Sequence, residues 1–120
     1  MIQVMPRSSD RVLGLQASGK LTDADYQDVF IPRLNESLTL HGKLRFLFYL
    51  DETFEGWELK AVWDDASWGI KHKNHFVKLG VVGGPKWVEW GLRAGAHMVD
   101  AEVKVFGIDE LETAWEWVQS

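Results

Sequence analysis

Side chains able to bind a metal or act as nucleophiles are concentrated in the middle of the sequence. His72 and His75 are three residues apart, and on a helix they would share a metal ion with Asp64 or Asp65. The pair also falls at a helix end, where imidazoles interact favourably with the C-terminal dipole, and this interpretation is favoured. Ser67, His72 and Asp64 are the residue types of a nucleophilic triad, but no strand–turn–helix motif surrounds them. The sequence therefore predicts no metal site and no catalytic residues here.

Two further segments are typical of ligand sites in α/β proteins. Asp51 and Glu52 follow an apolar strand, and open parallel sheets place sites at the carboxyl ends of their strands. Gly83-Gly84-Pro85 precedes a helix, whose N-terminus attracts anions, but the phosphate-loop and dinucleotide-binding motifs are missing. We therefore predict a turn at Gly83-Gly84-Pro85, no cofactor and no enzyme activity.

The most unusual feature of the composition is tryptophan, with 7 in 120 residues. Helical spacing over residues 56–72 predicts one apolar stripe that faces the core: Leu59, Val62, Trp63, Ala66 and Ile70. The opposite side of that helix carries three more apolar residues: Trp57, Ala61 and Trp68. The next helix has one stripe formed by Val88, Gly91, Leu92, Gly95 and Val99. A second sector adjoins it: Trp87, Trp90, Ala94 and Met98. Both helices thus have more apolar surface than contact with one sheet requires.

Positive charge accompanies these tryptophans. Residues 60–93 contain six basic and three acidic side chains, whereas the rest of the chain has seven basic and fifteen acidic ones. Lys60, Lys71, Lys73 and Lys86 are therefore predicted to attract anionic head groups. Three interpretations stay open: an ordinary core shared by the two helices, a pocket or patch for an amphiphile or membrane surface, and a protein–protein site. In the second, the ligand-binding residues are Trp57, Trp63, Trp68, Trp87, Trp90 and Met98.

The elements that must position these side chains alternate along the chain. Residues 2–5 and 13–17 predict an antiparallel hairpin, and the apolar run 44–50 predicts a central strand covered on both faces. A helix begins at Thr22, with a break expected near Phe30 because of Pro32. Three more helices are predicted, over residues 56–72, after Pro85 and after Asp109. The strands at 76–82 and 102–106 lie between them in the sequence. The order ββαβαβαβα predicts an α/β fold with one mostly parallel sheet of four or five strands and about four helices.

Length and composition narrow the class of protein. A chain of 120 residues, 46% hydrophobic and 26% charged, predicts one globular domain over residues 1–120. The absence of cysteine excludes a disulfide framework and thiol catalysis. A net charge of −5 disfavours a general nucleic-acid binder. The first residues lack a basic start followed by an apolar run, so we expect a cytoplasmic protein. The tryptophans and lysines described above would place it in reversible contact with the inner face of the membrane.

Several segments, taken in order, resemble the SpoIIAA-like family, which is related in fold to STAS domains. They are Gly42-Lys43-Leu44-Arg45-Phe46-Leu47, Trp63-Asp64-Asp65-Ala66 with His72 and Phe76, Val81-Val82-Gly83-Gly84 followed by Trp87, and residues 105–117. The resemblance implies a sheet flanked by helices and no enzyme activity. Similarity to CRAL-TRIO lipid-binding domains implies a small hydrophobic ligand and peripheral membrane contact. The middle helices would open to admit the ligand, with Gly83, Gly84 and Gly91 as the hinge.

The resemblance also implies an alternative function, a protein-interaction module of the anti-sigma-factor-antagonist type. Such antagonists are switched by phosphorylation of a serine in a turn after the central strand. Here that turn is Asp51-Glu52-Thr53-Phe54-Glu55-Gly56, and Thr53 is its only hydroxyl. A phosphate on Thr53 would meet like charge, so we expect no phosphorylation switch there. A homodimer through the tryptophan-rich helices would satisfy the same surface chemistry.

Overall fold

Five strands form the central sheet of this protein. The computed structural model describes residues 1–95 and 101–120. The strands of the sheet, in spatial order, are β1 (Ile2–Val4), β2 (Leu13–Ala17), β4 (Leu44–Leu50), β6 (Phe76–Gly83) and β7 (Glu102–Phe106). The first pair is antiparallel and the others are parallel. The predicted α/β fold with a mostly parallel sheet and an N-terminal hairpin is confirmed.

The first helical segment contains the predicted irregularity. Thr22 caps α1 (Asp23–Asp25) in a capping box with Asp25. A π-helical turn (Tyr26–Phe30) follows and leads into α2 (Ile31–His41), in which Pro32 occupies the first turn. Since proline has no N–H to donate, the regular ladder cannot run through it, and the break falls next to Phe30 as expected.

The sheet is covered on both faces because the side chains of β4 alternate between two cores. Phe46, Phe48 and Leu50 pack toward the first helices, whereas Leu47 packs toward α5 (Leu111–Gln119). Close approach of α5 depends on Gly14, where an added Cβ would lie 2.8 Å from Trp115 Cη2. The central strand is therefore covered on both faces, as its apolar run predicts.

The C-terminal end of α5 is held by two basic side chains from the sheet. Lys78 Nζ donates to the carbonyl of Trp117 at 3.0 Å, and Arg45 Nη1 donates to the carbonyl of Val118 at 2.8 Å. The last carbonyls of a helix have no partner within the helix, so these contacts explain why Lys78 is buried.

The second long helix begins later than predicted. Gly56 and Trp57 form a short strand, β5 (Gly56–Trp57), parallel to β3 (Lys20–Leu21), and α3 (Leu59–Lys71) starts after Glu58. Because Trp57 pairs with β3, its backbone is extended, and the residue is not part of the predicted helix. The next helix is α4 (Lys86–Gly95), and it follows a turn in which Gly83 and Gly84 have φ of 80° and 85°.

The predicted core face of α3 is wrong. Trp63 is 72% exposed and Leu59 is 87% exposed, whereas Ala61, Asp64 and Trp68 are the buried residues of this helix. Trp68 decides the rotation of the helix, because its ring packs edge to face on Phe30 and Phe76 and its Nε1 donates to Asn35 at 3.0 Å. Val62, Ala66 and Ile70 from the predicted stripe border an open cavity rather than packed protein.

Candidate functional site

A cavity of about 450 Å³ lies on the face of the sheet opposite α5. Its floor is made by side chains of β4, β6 and β7, among them Phe46, Phe48 and Val81. Its walls are α3 and α4, which contribute residues such as Val62 and Leu92. The surface of this cavity is almost entirely hydrocarbon, which is typical of sites for small apolar molecules.

Aromatic rings border the cavity between the two wall helices. Trp57 packs edge to face against Phe54 at 4.8 Å and against Trp87 at 5.2 Å, measured between ring centroids. Trp57 is half-buried and Trp87 is 57% exposed, so this row extends from the cavity wall to the surface. The start of α4 is thereby joined to the segment that precedes α3.

Among the described residues that line the cavity, Asp65 and Lys73 are the charged ones. The Tyr26 hydroxyl donates a 2.6 Å hydrogen bond to Asp65 Oδ2, and Trp57 Nε1 donates to the same Tyr26 oxygen at 2.9 Å. Burial raises the pKa of Asp65, and the hydrogen bond from Tyr26 opposes that shift. Burial and the facing Asp65 carboxylate raise the pKa of Tyr26 well above its ordinary value.

The structure brings together some of the predicted ligand-binding residues. Trp57, Trp68 and Trp87 line the cavity, together with Gly91 of the predicted hinge. Trp63 and Trp90 do not line it and are largely exposed, at 72% and 77%. Met98 lies outside the residues that the structure describes.

The predicted head-group lysines are dispersed. Lys73 lines the cavity, whereas Lys60 forms an exposed ion pair with Asp23 at 3.4 Å. Lys71 and Lys86 are exposed at the ends of α3 and α4. Only one of the four lysines therefore adjoins the cavity directly.

The sequence interpretation missed the polar contribution of Tyr26 and Asp65 to the site. In the sequence, Asp65 is a possible metal ligand and part of a family segment, and nothing there pairs it with Tyr26. A signal existed, because Asp64-Asp65 interrupts a helix whose flanking residues, Val62, Trp63 and Ala66, are apolar.

The histidine pair stands apart from the carboxylates that would complete a metal site. His72 stacks on Trp68 at 4.2 Å between ring centroids, and its Nδ1 lies 3.0 Å from the carbonyl of Trp68. Asp64 instead faces Asp23, which raises the pKa of Asp64 and lowers that of Asp23. Within residues 1–95 and 101–120, no three His, Asp or Glu side chains converge on a possible metal position.

The turn after β4 is ordered by Asp51. Its Oδ1 accepts hydrogen bonds from the Thr53 hydroxyl at 2.7 Å and the Thr53 backbone N–H at 2.9 Å, and its Oδ2 accepts one from Gln16. Burial raises the pKa of Asp51, but the hydrogen bonds from Gln16 and Thr53 outweigh this effect and leave the pKa lowered. The Thr53 side chain is exposed and is already held by a carboxylate.

None of the helices in the described part of the chain is both long and apolar enough to cross a lipid bilayer.

Comparison with known proteins agrees with this architecture. No curated protein matches the sequence. Among solved structures, the chain is similar to an uncharacterized protein of the DUF3478 family with a SpoIIAA-like fold from Shewanella loihica PV-4. The TM-score is 0.76 and the sequence identity 30%, and the match covers 98% of this chain and 93% of that one. A family model described as SpoIIAA-like matches residues 12–119. The chain therefore belongs to the SpoIIAA-like family.

Proposed function

We propose that this protein is a noncatalytic carrier or sensor that binds a small hydrophobic or amphiphilic molecule in the cavity between α3 and α4. The observation that carries this proposal is the cavity itself, about 450 Å³ in volume with walls that are almost entirely hydrocarbon. Specific small-molecule sites are mostly apolar and have volumes of roughly 300–1,000 Å³. A cavity of this kind is poorly suited to hold water, because its walls offer few hydrogen-bonding partners.

The expected affinity is moderate. A ligand that removes about 200 Å² of apolar surface from water gains roughly 5 kcal/mol at 25 cal/mol/Å². The loss of translational and rotational freedom offsets part of this gain. Binding would therefore be reversible, as a carrier or sensor requires.

Exposed tryptophans beside the cavity support the second part of the proposal, a reversible contact with membrane surfaces. Trp63 and Trp90 are 72% and 77% exposed, and Lys71 and Lys86 are exposed at the ends of the same two helices. Indole rings partition into the bilayer interface, and each lysine near an anionic surface adds about 1 kcal/mol. The contact would place the cavity next to the source of a hydrophobic ligand.

Uptake by the cavity is tested with a neutral dye whose fluorescence reports an apolar environment, such as prodan. Wild-type protein should enhance the dye emission in a saturable way. Leu92→Lys puts a charge on the cavity wall and should abolish the enhancement, because the amine would have to be desolvated. Trp90→Lys on the same helix does not alter the lining and serves as the matched control. Equal dye binding by all three proteins would contradict a cavity site.

Membrane contact is tested separately by sedimentation with vesicles of phosphatidylcholine and phosphatidylserine. Trp63→Ala combined with Trp90→Ala should reduce the bound fraction while dye uptake stays intact. The bound fraction of the wild type should fall with added salt, since the lysine contribution is screened. Unchanged sedimentation of the double variant would argue against membrane contact through these side chains.

Family membership favours a second candidate, a protein-interaction module of the STAS type. The exposed Thr53 turn follows β4 at the position where antagonists of that type carry their phosphorylated serine. The acidic neighbours of Thr53 make a phosphorylation switch unfavourable. Affinity purification from the source cells, with Thr53→Glu as the comparison, tests this candidate. Failure to recover a stoichiometric partner with either bait would count against it.

A further inference from the structure

One of the two charged side chains among the described lining residues is an acid, Asp65, although the surrounding stretch of sequence is basic. Asp65 lines the cavity from α3, among Val62, Ala66 and Trp68 of the same helix. Its Oδ2 accepts the 2.6 Å hydrogen bond from Tyr26. The other carboxyl oxygen, Oδ1, accepts no hydrogen bond from the part of the chain that the structure describes, and Asp65 as a residue is partly exposed.

The partners of Asp65 have no hydrogen left to offer a ligand. Tyr26 is fully buried and has a single hydroxyl hydrogen, which is directed at Asp65. The indole N–H of Trp57 is directed at the Tyr26 oxygen. The chain of donors from Trp57 through Tyr26 therefore ends at the carboxylate of Asp65, a residue that lines the cavity. Trp57 is thus held by Tyr26, and Tyr26 is held by Asp65.

We propose that the cavity selects hydrophobic molecules whose polar end is an uncharged or cationic hydrogen-bond donor, a hydroxyl or an ammonium group, which binds Asp65 Oδ1. This inference rests on the proposed function and identifies the ligand class of the same cavity. It differs from the expectation of an anionic head group that the lysine pattern of the sequence favours.

An anionic head group would be poorly matched at this end of the cavity. Its oxygens only accept hydrogen bonds, and they would face the acceptor oxygen of Asp65 in a poorly hydrated space. Burial already raises the pKa of Asp65, and a second negative charge nearby would raise it further. Lys73 is the cation among the described lining residues, so an anionic ligand is expected to place its head group there instead.

The test compares ligands that share one alkyl chain, measured by displacement of prodan in a mildly alkaline buffer. Dodecanol and dodecylammonium should each displace the dye at about tenfold lower concentration than dodecanoate, as expected for a hydrogen bond to a charged group. Asp65→Asn replaces the free acceptor by an amide and should reduce this ratio to near one. Asp64→Asn is the matched control, because Asp64 is the next residue on α3 and does not line the cavity. It should retain the wild-type ratio.

A second comparison needs no variant. Dodecyltrimethylammonium has the charge and chain of dodecylammonium but no N–H, and it should bind the wild type several-fold more weakly. Equal binding of the two cations would overturn the inference. The inference would also be overturned if dodecanoate bound the wild type tightly and Lys73→Ala removed that binding. In that case the proposed function of the cavity would still stand. If none of the four amphiphiles displaces the dye, the proposed function fails together with the inference.

Discussion

The indole ring of Trp57 contacts that of Trp87 edge to face, with the ring centroids 5.2 Å apart. This contact joins the segment before α3 to the first turn of α4, the two helices that form the cavity walls. Trp57 also packs on Phe54 and donates its N–H to Tyr26, so it is held from two further directions. Trp87 is 57% exposed and is the more easily displaced member of the pair.

Removal of Trp87 should weaken retention of a ligand. Trp87→Ala loses an aromatic pair worth about 0.5–1.5 kcal/mol and opens one side of the cavity, so the dissociation rate of prodan should increase several-fold. Stopped-flow dilution of the dye complex measures this rate. Trp63→Ala, which removes an exposed tryptophan that does not line the cavity, should leave the rate unchanged. Equal rates for Trp87→Ala and the wild type would show that the contact does not retain the ligand.

The facing carboxyl groups of Asp23 and Asp64 should make stability depend on pH. The pKa of Asp64 is raised by Asp23 and by burial, so its contribution to stability is full below the ordinary value of 3.8 and is lost as pH rises through the raised pKa. Asp64→Asn avoids this loss, because an amide donates to Asp23 at every pH. The variant should therefore be more stable than wild type at neutral pH, and the difference should vanish toward pH 3.8.

Urea denaturation at several pH values measures this difference in the free energy of unfolding. Asp28→Asn, an exposed position in the π-helical turn, is the control and should follow the wild type. A difference between Asp64→Asn and wild type that stays constant with pH would contradict a coupled carboxyl pair.

Two glycine substitutions should change stability in opposite directions. Gly14→Ala puts a Cβ 2.8 Å from Trp115 Cη2, in a core where Trp115 is fully buried, and should cost about 1–3 kcal/mol. Gly69→Ala lies in α3, where the new Cβ would meet nothing within 4 Å beyond its chain neighbours and the backbone of its own helix, and it should stabilise by roughly 0.5–1 kcal/mol through helix propensity. Thermal or urea unfolding measures both. Destabilisation by Gly69→Ala would mean that α3 requires the flexibility of that glycine.

Thr53→Val should shift the titration of Asp51. The lowered pKa of Asp51 depends in part on the Thr53 hydroxyl, so the variant should move that pKa up toward 3.8. The stability that ionised Asp51 contributes is present above its ordinary pKa and is lost as pH falls through the lowered pKa. Because this contribution is smaller in the variant, its free energy of unfolding should decrease less on acidification. The cost at neutral pH should be about 0.5 kcal/mol, since the bond is exposed to solvent. Carbon-detected NMR titration of the Asp51 carboxyl measures the shift, with Ser9→Ala as a control away from this turn.

The sequence alone was sufficient for the central sheet and for the order of its strands and the long helices, but not for the short β3–β5 pair. The strand Leu44–Leu50 and the strand Glu102–Phe106 have the predicted bounds. The Thr22 cap and the break next to Phe30 are also confirmed. Each of these features depends on interactions between residues close in sequence: a continuous apolar run, a capping side chain, or a proline without an N–H. Local physics of this kind can be recognised without knowledge of the fold.

The rotation of α3 and the identity of the polar group in the cavity were decided only by tertiary structure. A helical wheel gives the angle between Trp63 and Trp68 but not which of them faces the sheet. That choice depends on Phe30 and Asn35, which are distant from α3 in sequence, together with Phe76 of the following strand. Likewise, Tyr26 and Asp65 are 39 residues apart, and their hydrogen bond exists only because the π-helical turn and α3 pack together. Contacts of this kind are non-local, so the spacing of residue types along the chain carries no information about them.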